Sequence, residues 1–267
     1  MAPVSKPDFP WWLAVAVAIA AAAALGIAAS GLYRQVFSTV VAGIGVTVFV
    51  TVVGFALASA LGLAVALMAL SGSRVLREIA RFYVEIIRGV PILVLLFWIA
   101  FVGAPAIVAG WNAVTAPLQQ AGLLEPLVVR DLSLLWRAVI ALTIGYSAFI
   151  AEVFRAGIQS VEPGQIEAAK ALGLSRVQRF RLIVFPQAIR TILPPLGNDF
   201  VAMVKDSSLV SVLGVADITQ MGKVYAAGSF RFFETYSIVA YIYLILTVSL
   251  SLALRALERR MRRGREA

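Results

Sequence analysis

Two residue types that carry much of protein chemistry are missing from this sequence of 267 residues, which has no cysteine and no histidine. Without cysteine there is no disulfide framework, no thiolate nucleophile and no cysteine-ligated metal. Without histidine the chain lacks the commonest general base and the commonest metal ligand. Serine-hydrolase triads and histidine metal sites are therefore excluded, and we predict neither a catalytic residue nor a metal site in this chain.

Charged residues are also scarce, at 14% of the chain, while 61% of the residues are hydrophobic. A soluble domain usually carries about 25% charged residues. A hydrocarbon core of about 30 Å is crossed by about 20 helical residues, and the chain offers several apolar runs of that kind. We therefore predict an all-α fold, a polytopic membrane helical bundle of about six transmembrane helices.

The predicted spans are separated by charged or turn-rich stretches. They cover residues 11–29, 39–70, 90–101 with an amphipathic start from residue 73, 134–158, 188–205 and 233–257. Residues 103–133 and 206–232 are predicted as loops, the second with a short helix in the stretch "SSLVSVLGV".

Residues 11–29 allow two interpretations, a retained first span or a signal peptide. The run is long and Lys6 before it is offset by Asp8, which favours retention, with Trp11 and Trp12 as interfacial anchors. We divide the chain into an extra N-terminal transmembrane helix (1–35), a core domain (36–260) and a basic cytoplasmic tail (261–267).

The net charge of +9 is distributed unevenly between the two predicted sides of the membrane. Of the 23 Lys and Arg residues, 17 fall on the side that holds both termini, and the tail after Arg255 also suits anionic lipid. Because cytoplasmic loops are enriched in Lys and Arg, both termini are predicted to be cytoplasmic. Discrete basic clusters between apolar runs indicate topology, and we expect no nucleic acid partner.

One compact polar segment, "EPGQIEAAKALGLSRVQRF", interrupts the apolar runs on the predicted cytoplasmic side. Its Pro at the first helical position and a later Gly173 predict a short helix that ends in a left-handed cap. Ser175 and Gln178 have the spacing of a capping box, which predicts a second helix, and Pro186 is expected to interrupt it.

The first of these helices presents Ile166, Ala169 and Leu172 or Gly173 on one face. So short a helix is marginal alone. Two interpretations stay open: a helix held in the groove of a partner, or a tight helical hairpin that only joins two spans.

The same segment resembles the EAA motif of permease subunits of ATP-binding cassette (ABC) importers. The matching positions are Glu167, Ala168, Ala169, Gly173, Phe180, Ile183 and Pro186. The stretches "IIRGVPILVLLF", "SAFIAEVFRAGIQSVEPGQ" and "NDFVAMVKDSSLVSVLGVADIT" resemble the polar amino-acid branch of these importers. The extra first span and the long 103–133 loop depart from the family pattern.

The resemblance implies an ATP-driven importer of a polar amino acid in the bacterial inner membrane, working by alternating access. It implies a second permease subunit, identical or related, two ATPase subunits that bind ATP and Mg, and an external or periplasmic amino-acid-binding protein. No Gly-x-x-x-x-Gly-Lys-Ser/Thr loop is present, so ATP is expected to bind the partner. The implied ATPase-coupling residues are Glu167, Ala168, Ala169, Leu172 and Gly173. Glu167 would meet the ATPase, or else pair with Lys170.

Ionisable residues in or near spans are costly and mark functional sites. The candidates for the translocation path are Glu85, Arg88, Glu152, Arg155, Asp199 and Lys205. The two Glu/Arg pairs have i, i+3 spacing and can instead neutralise themselves on one helix face. Asp199 would lie well inside the bilayer, lining the path or bonded to a neighbouring helix. Lys205 is expected near the outer interface, where a snorkelling lysine is the plainer interpretation.

Two other functions compete with the importer. An ion-coupled secondary transporter needs no ATPase and leaves the EAA-like segment unexplained. A membrane scaffold or sensor leaves Asp199 and the paired charges unexplained.

Overall fold

The computed structural model describes the backbone of residues 11–263 and the side chains up to residue 259. Lys6 and residues 264–267 of the predicted basic tail lie outside the described residues. Twelve α-helices are found in the described part: α1 Trp11–Ala29, α2 Gly31–Val41, α3 Ile44–Ala69, α4 Arg74–Gly89, α5 Ile92–Trp98, α6 Ala104–Gln120, α7 Leu134–Gln159, α8 Pro163–Ala171, α9 Arg176–Arg179, α10 Phe185–Asp206, α11 Ile218–Ser229 and α12 Phe232–Arg263.

Three further helical segments link these helices. They are a first π segment at Ile99–Gly103, a second π segment at Phe180–Val184 and a 3₁₀ turn at Ser207–Leu213. The predicted all-α fold is confirmed, and the short helix expected in "SSLVSVLGV" is this 3₁₀ turn.

Five helical stretches of the described chain are long and apolar enough to cross a membrane. They are Trp11–Ala29, Gly31–Ala69, Ile92–Gln120, Leu134–Gln159 and Phe232–Arg259. The predicted span at 188–205 is helical as part of α10, but it is less apolar because it holds Pro194, Pro195, Asp199 and Lys205.

The predicted helix 39–70 is in fact two helices with a turn between α2 and α3. A Cβ on Gly43 would lie 2.4 Å from the carbonyl carbon of Asp217, which a real side chain does not tolerate. Only glycine lets the chain pass this close, and the main chain ahead of α11 is packed against the turn as a result.

The prediction of a loop over 103–133 is wrong for its first half, because α6 continues to Gln120. Its prolines suggested a loop, but Pro105 falls in the first helical turn, where no amide donor is needed. The π segment before it leaves the Ala100 carbonyl to accept from Arg137 Nη1 at 3.0 Å. Arg137 also donates to the carbonyls of Leu132 and Val129, which fixes the loop between α6 and α7.

The main core lies where α3, α5, α7 and α10 meet. Leu96, Leu142, Ile150 and Met203 are almost fully buried there. A Cβ on Gly62 would lie 2.9 Å from the Ser147 carbonyl, so α3 and α7 touch nearly backbone to backbone. Small residues at helix contacts are how membrane bundles gain packing energy without a hydrophobic drive.

Both α10 and α11 pack along α12, and the 3₁₀ turn joins them. Gly197 packs against Leu254, whereas Gly222 of α11 packs against Val239, fifteen positions earlier on α12 and about 22 Å away along its axis. Between them, α10 ends at Asp206 and the 3₁₀ turn follows. This crossing is therefore a broken helix, a form tolerated in membranes where protein covers the free backbone groups.

Candidate functional site

A central cavity of about 550 Å³ opens where α4 gives way to α5, facing α7 and α10. Its volume falls in the range of small-molecule sites, about 300–1,000 Å³. The lining residues are Ile87, Arg88, Gly89, Val90, Pro91, Ile92, Leu95, Gly145, Tyr146, Phe149, Asp199, Ala202 and Asp206.

The break between α4 and α5 positions Arg88, the cationic side chain that lines this cavity. Val90 has extended backbone (φ −100°, ψ 129°) and Pro91 cannot continue the helix, so α4 ends just after Arg88. The Arg88 guanidinium carbon lies 5.4 Å from the centre of the Phe149 ring, within cation–π range. Arg88 is thus held by an aromatic face and keeps its donors for another group.

Two carboxylates from α10 line the same cavity. Asp206 accepts a hydrogen bond of 2.7 Å from the Tyr146 hydroxyl. Asp199 has a buried oxygen, Oδ2, that no described group satisfies. A buried carboxylate oxygen without a donor is costly, and a ligand cation or an amine would satisfy it. One cavity thus offers a guanidinium for an anionic group and a carboxylate for a cationic group.

A second cavity of about 390 Å³, the charged vestibule, lies between α4 and α7 on the side of α8. Its lining residues are Ala69, Arg77, Glu78, Ala80, Arg81, Val84, Glu85, Arg88, Glu152 and Arg155. Arg88 lines both cavities, because it lies on α4 at their boundary. One guanidinium therefore separates a mostly apolar compartment from a highly charged one.

The structure treats the two predicted Glu/Arg pairs differently. Arg155 donates to both oxygens of Glu152, at 3.1 and 2.6 Å, and to Gln159 at 2.7 Å. Arg88 is stacked on an aromatic ring, and no ion pair with Glu85 is present among the described residues. Glu152 and Arg155 therefore pair with each other, whereas Glu85 and Arg88 both line the charged vestibule without such a pair between them.

Lys205, which we expected near the outer interface, lines neither of the two larger cavities. It lines a small groove with Thr247 and Ser251, in the middle of α12. Lys205 therefore takes no part in the central cavity.

Sequence reasoning missed Tyr146, Phe149 and Asp206 as parts of the site. The place of Asp206 could have been predicted from its spacing. Asp199, Ala202 and Asp206 stand at i, i+3 and i+7, which places them on one face of a helix. No comparable signal marks Tyr146 or Phe149, whose role depends on how α7 packs against α4.

The polar segment after α7 folds as predicted into helix, glycine turn and helix. Gly173 adopts φ 76°, and Ser175 and Gln178 form the reciprocal capping box. The expected interruption at Pro186 is wrong: the helix runs on through the second π segment, and Pro186 falls in the first turn of α10.

The residues predicted for coupling differ in exposure. Ala169 is buried against its own chain, while Glu167 and Ala168 are exposed and Leu172 is 80% exposed. Leu172 belongs to a larger exposed apolar set, here called the α8–α10 patch. Its members are Leu172, Val177, Phe180, Leu182 and Phe185.

This patch is joined firmly to the membrane helices. Val161, Val184, Ala188 and Ile192 form a buried cluster beneath it, with Ile166 of α8 packed against them. A Cβ on Gly157 would lie 2.2 Å from Ile192 Cγ1, so α7 and α10 meet directly. The segment that carries the patch is therefore packed directly on α7 and α10.

The fold and the two cavities define a class of protein, a membrane-spanning helical permease with a charged internal site. The family model "Binding-protein-dependent transport system inner membrane component" matches residues 58–263. The chain belongs to this family.

Two relatives cover most of the chain. The probable amino-acid permease protein YxeN of Bacillus subtilis strain 168 is 35% identical over 225 residues, which covers 84% of this chain and 92% of the relative. The glutamine transport system permease protein GlnP of Escherichia coli strain K12 is 36% identical over 222 residues, which covers 82% and 91%.

A solved structure has the same architecture. It is described as the crystal structure of an amino acid ABC transporter with histidines, and the chain matches it with a TM-score of 0.68 at 37% identity. The match covers 85% of this chain and 95% of that one.

Proposed function

We propose that this chain is the transmembrane subunit of an ATP-driven importer that carries a polar amino acid inward across the bacterial inner membrane by alternating access. The observation that carries the proposal is the joint lining of one cavity by Arg88, Asp199 and Asp206. A zwitterionic amino acid needs a cationic and an anionic partner, and this cavity supplies both. The names of the relatives, amino-acid and glutamine permeases, support the substrate class.

Within the cavity the substrate carboxylate binds Arg88 and its ammonium group binds Asp199. Arg88 offers planar paired donors suited to a carboxylate. The unsatisfied Asp199 oxygen accepts from the ammonium group. Tyr146 holds Asp206 in place by its 2.7 Å bond, which leaves Asp199 as the freer acceptor.

The path from the central cavity leads past Arg88 into the charged vestibule, where Glu85, Glu152 and Arg155 follow. The break at Gly89–Pro91 lets α4 turn relative to α5, and this turn opens one compartment as it closes the other. Such a change is a two-state equilibrium that a bound ligand biases.

Energy for this change comes from two separate ATPase subunits, which bind ATP and Mg. They dock on the α8–α10 patch, with Glu167, Ala168, Leu172 and Gly173 at the contact and Ala169 packed behind them. The high exposure of Leu172 supports a docking role, since a large apolar side chain gains from burial against a partner.

The complete importer contains a second permease subunit, identical or related, and an external or periplasmic amino-acid-binding protein that delivers the substrate. Both termini of this chain lie in the cytoplasm, on the side of the α8–α10 patch. The excess of Lys and Arg on that side supports the orientation.

The test is uptake by the purified complex in proteoliposomes, with glutamine, glutamate and arginine as labelled substrates. We expect uptake that requires ATP on the patch side and that Arg88→Gln reduces, while Arg74→Gln, at the far end of the same helix, leaves it unchanged. Uptake driven by an ion gradient without ATP would overturn the proposal in favour of a secondary transporter.

A further inference from the structure

A small basic groove lies outside both cavities, between α1, α10 and α12. Its volume is about 190 Å³. The lining residues are Trp12, Val201, Lys205, Thr247, Val248, Ser251, Leu252 and Arg255. The groove therefore holds two cations, two hydroxyls and an aromatic ring, and no carboxylate is present among its described lining residues.

The two cations approach each other from opposite directions. Side chains of a helix lean toward its N-terminus. Because α10 and α12 run in opposite directions, Lys205 leans toward the end of the membrane where α12 finishes, while Arg255 leans back toward the middle. Like charges drawn together in a low-dielectric setting are costly unless an anion lies between them.

Neither cation has an anionic partner among the described residues. The ion pairs found among the described residues are Arg155–Glu152 and Arg231–Glu234, and neither includes Lys205 or Arg255. Arg255 lies 5.5 Å from the centre of the Trp12 ring, which orients the guanidinium without neutralising it.

The depth of the groove points to a lipid headgroup. Residues 235–254 of α12 carry no charge and span about 30 Å, one hydrocarbon thickness. Arg255 is the first charge after them, and Trp12 is near the start of α1, where tryptophan marks the interface. Lys205 reaches this level from inside, as a snorkelling lysine does.

We propose that this groove binds the phosphate of an anionic phospholipid from the leaflet at which α1 begins and α12 ends. Lys205 and Arg255 bind the phosphate oxygens, and the acyl chains lie along the apolar side of α12. The N-terminal helix α1 acquires a function here, because Trp12 forms the outer wall of the site. The family model begins at residue 58, so the site is partly built from a segment outside the matched core.

The test measures binding of spin-labelled phosphatidylglycerol to the purified full complex in phosphatidylcholine nanodiscs. We expect Lys205→Gln and Arg255→Gln each to lower its association about five-fold, as expected for one cation near an anionic surface. Lys205→Arg and Arg255→Lys keep the charge, and we expect them to keep binding, which separates loss of the site from loss of fold.

Arg74→Gln is the matched control, since Arg74 is an exposed cation on the same side of the membrane and away from the groove. An equal loss with Arg74→Gln would mean general surface attraction and would overturn the proposal. Displacement of the lipid by millimolar inorganic phosphate would assign the groove to a free anion instead. Unchanged lipid binding in both groove variants, with a weakened permease dimer, would assign it to a second subunit.

Discussion

Replacing Asp199 with asparagine tests the central cavity most directly. The change removes the charge and keeps the shape. Asp199 Oδ2 is buried without a donor among the described residues, so the change removes no bond that they make to that oxygen. If the oxygen receives the substrate ammonium group, the variant loses a charged hydrogen bond of about 1.5–3 kcal/mol. The substrate concentration that gives half-maximal uptake should then rise roughly 10- to 150-fold.

The assay compares two substrates in proteoliposomes under saturating ATP, the amino acid and its analogue without the α-amino group. The wild type should bind the amino acid much more tightly than the analogue. Asp199→Asn should bind the two with similar affinity, because removing the carboxylate and removing the ammonium group abolish the same bond. Asp131→Asn, which alters a carboxylate in the loop between α6 and α7 that accepts from the Val128 amide, serves as the control. An equal loss of affinity for both substrates would refute the assignment and leave Asp199 a structural residue.

Three further changes test the rest of the structure. Gly43→Ala should destabilise the protein by about 1–3 kcal/mol and lower its Tm, because the added Cβ would lie 2.4 Å from the Asp217 main chain. Gly45→Ala has open space around the added Cβ and should leave the Tm unchanged. Equal Tm values for the two variants would contradict the packing. Arg137→Lys should lose at least one of the three hydrogen bonds to carbonyl oxygens, cost about 1–3 kcal/mol of stability and speed proteolysis in the loop after α6. An unchanged rate of proteolysis would argue against Arg137 fixing this loop. Leu172→Asp should weaken ATPase binding tenfold or more in a pull-down titration, because the exposed side chain is buried against the partner. Leu123→Asp, which alters a similarly exposed leucine in the loop after α6, should leave binding intact, and an equal effect of the two changes would disprove docking at the patch.

Much of the fold could be predicted because its signals are local. Hydropathy over about 20 residues indicates a membrane helix without any knowledge of its neighbours. The same holds for the Gly173 turn and for the capping box of Ser175 and Gln178, which depend on a few consecutive residues. These elements form as predicted.

The candidate site was less predictable because it depends on how separate helices meet. The groove that Lys205 lines forms where α10 meets α12, which no spacing along one helix encodes. The partner of Arg88 is likewise an aromatic ring 61 positions later, whereas local spacing indicated Glu85. The prolines led to the wrong prediction of breaks in the helices. Pro105 and Pro186 lie next to π segments and fall in the first turns of α6 and α10, so the helices continue.

The broken crossing has a consequence for how this protein is made. A charged side chain at the centre of a membrane helix costs about 2.5–3.5 kcal/mol on insertion. With Asp199, Lys205 and two prolines, α10 is a poor candidate to leave the translocon for lipid by itself. We expect it to enter the bilayer together with α12, against which Gly197 packs on Leu254. Substitutions that widen this contact should therefore lower the amount of subunit assembled in the membrane, before any effect on the rate of transport is seen.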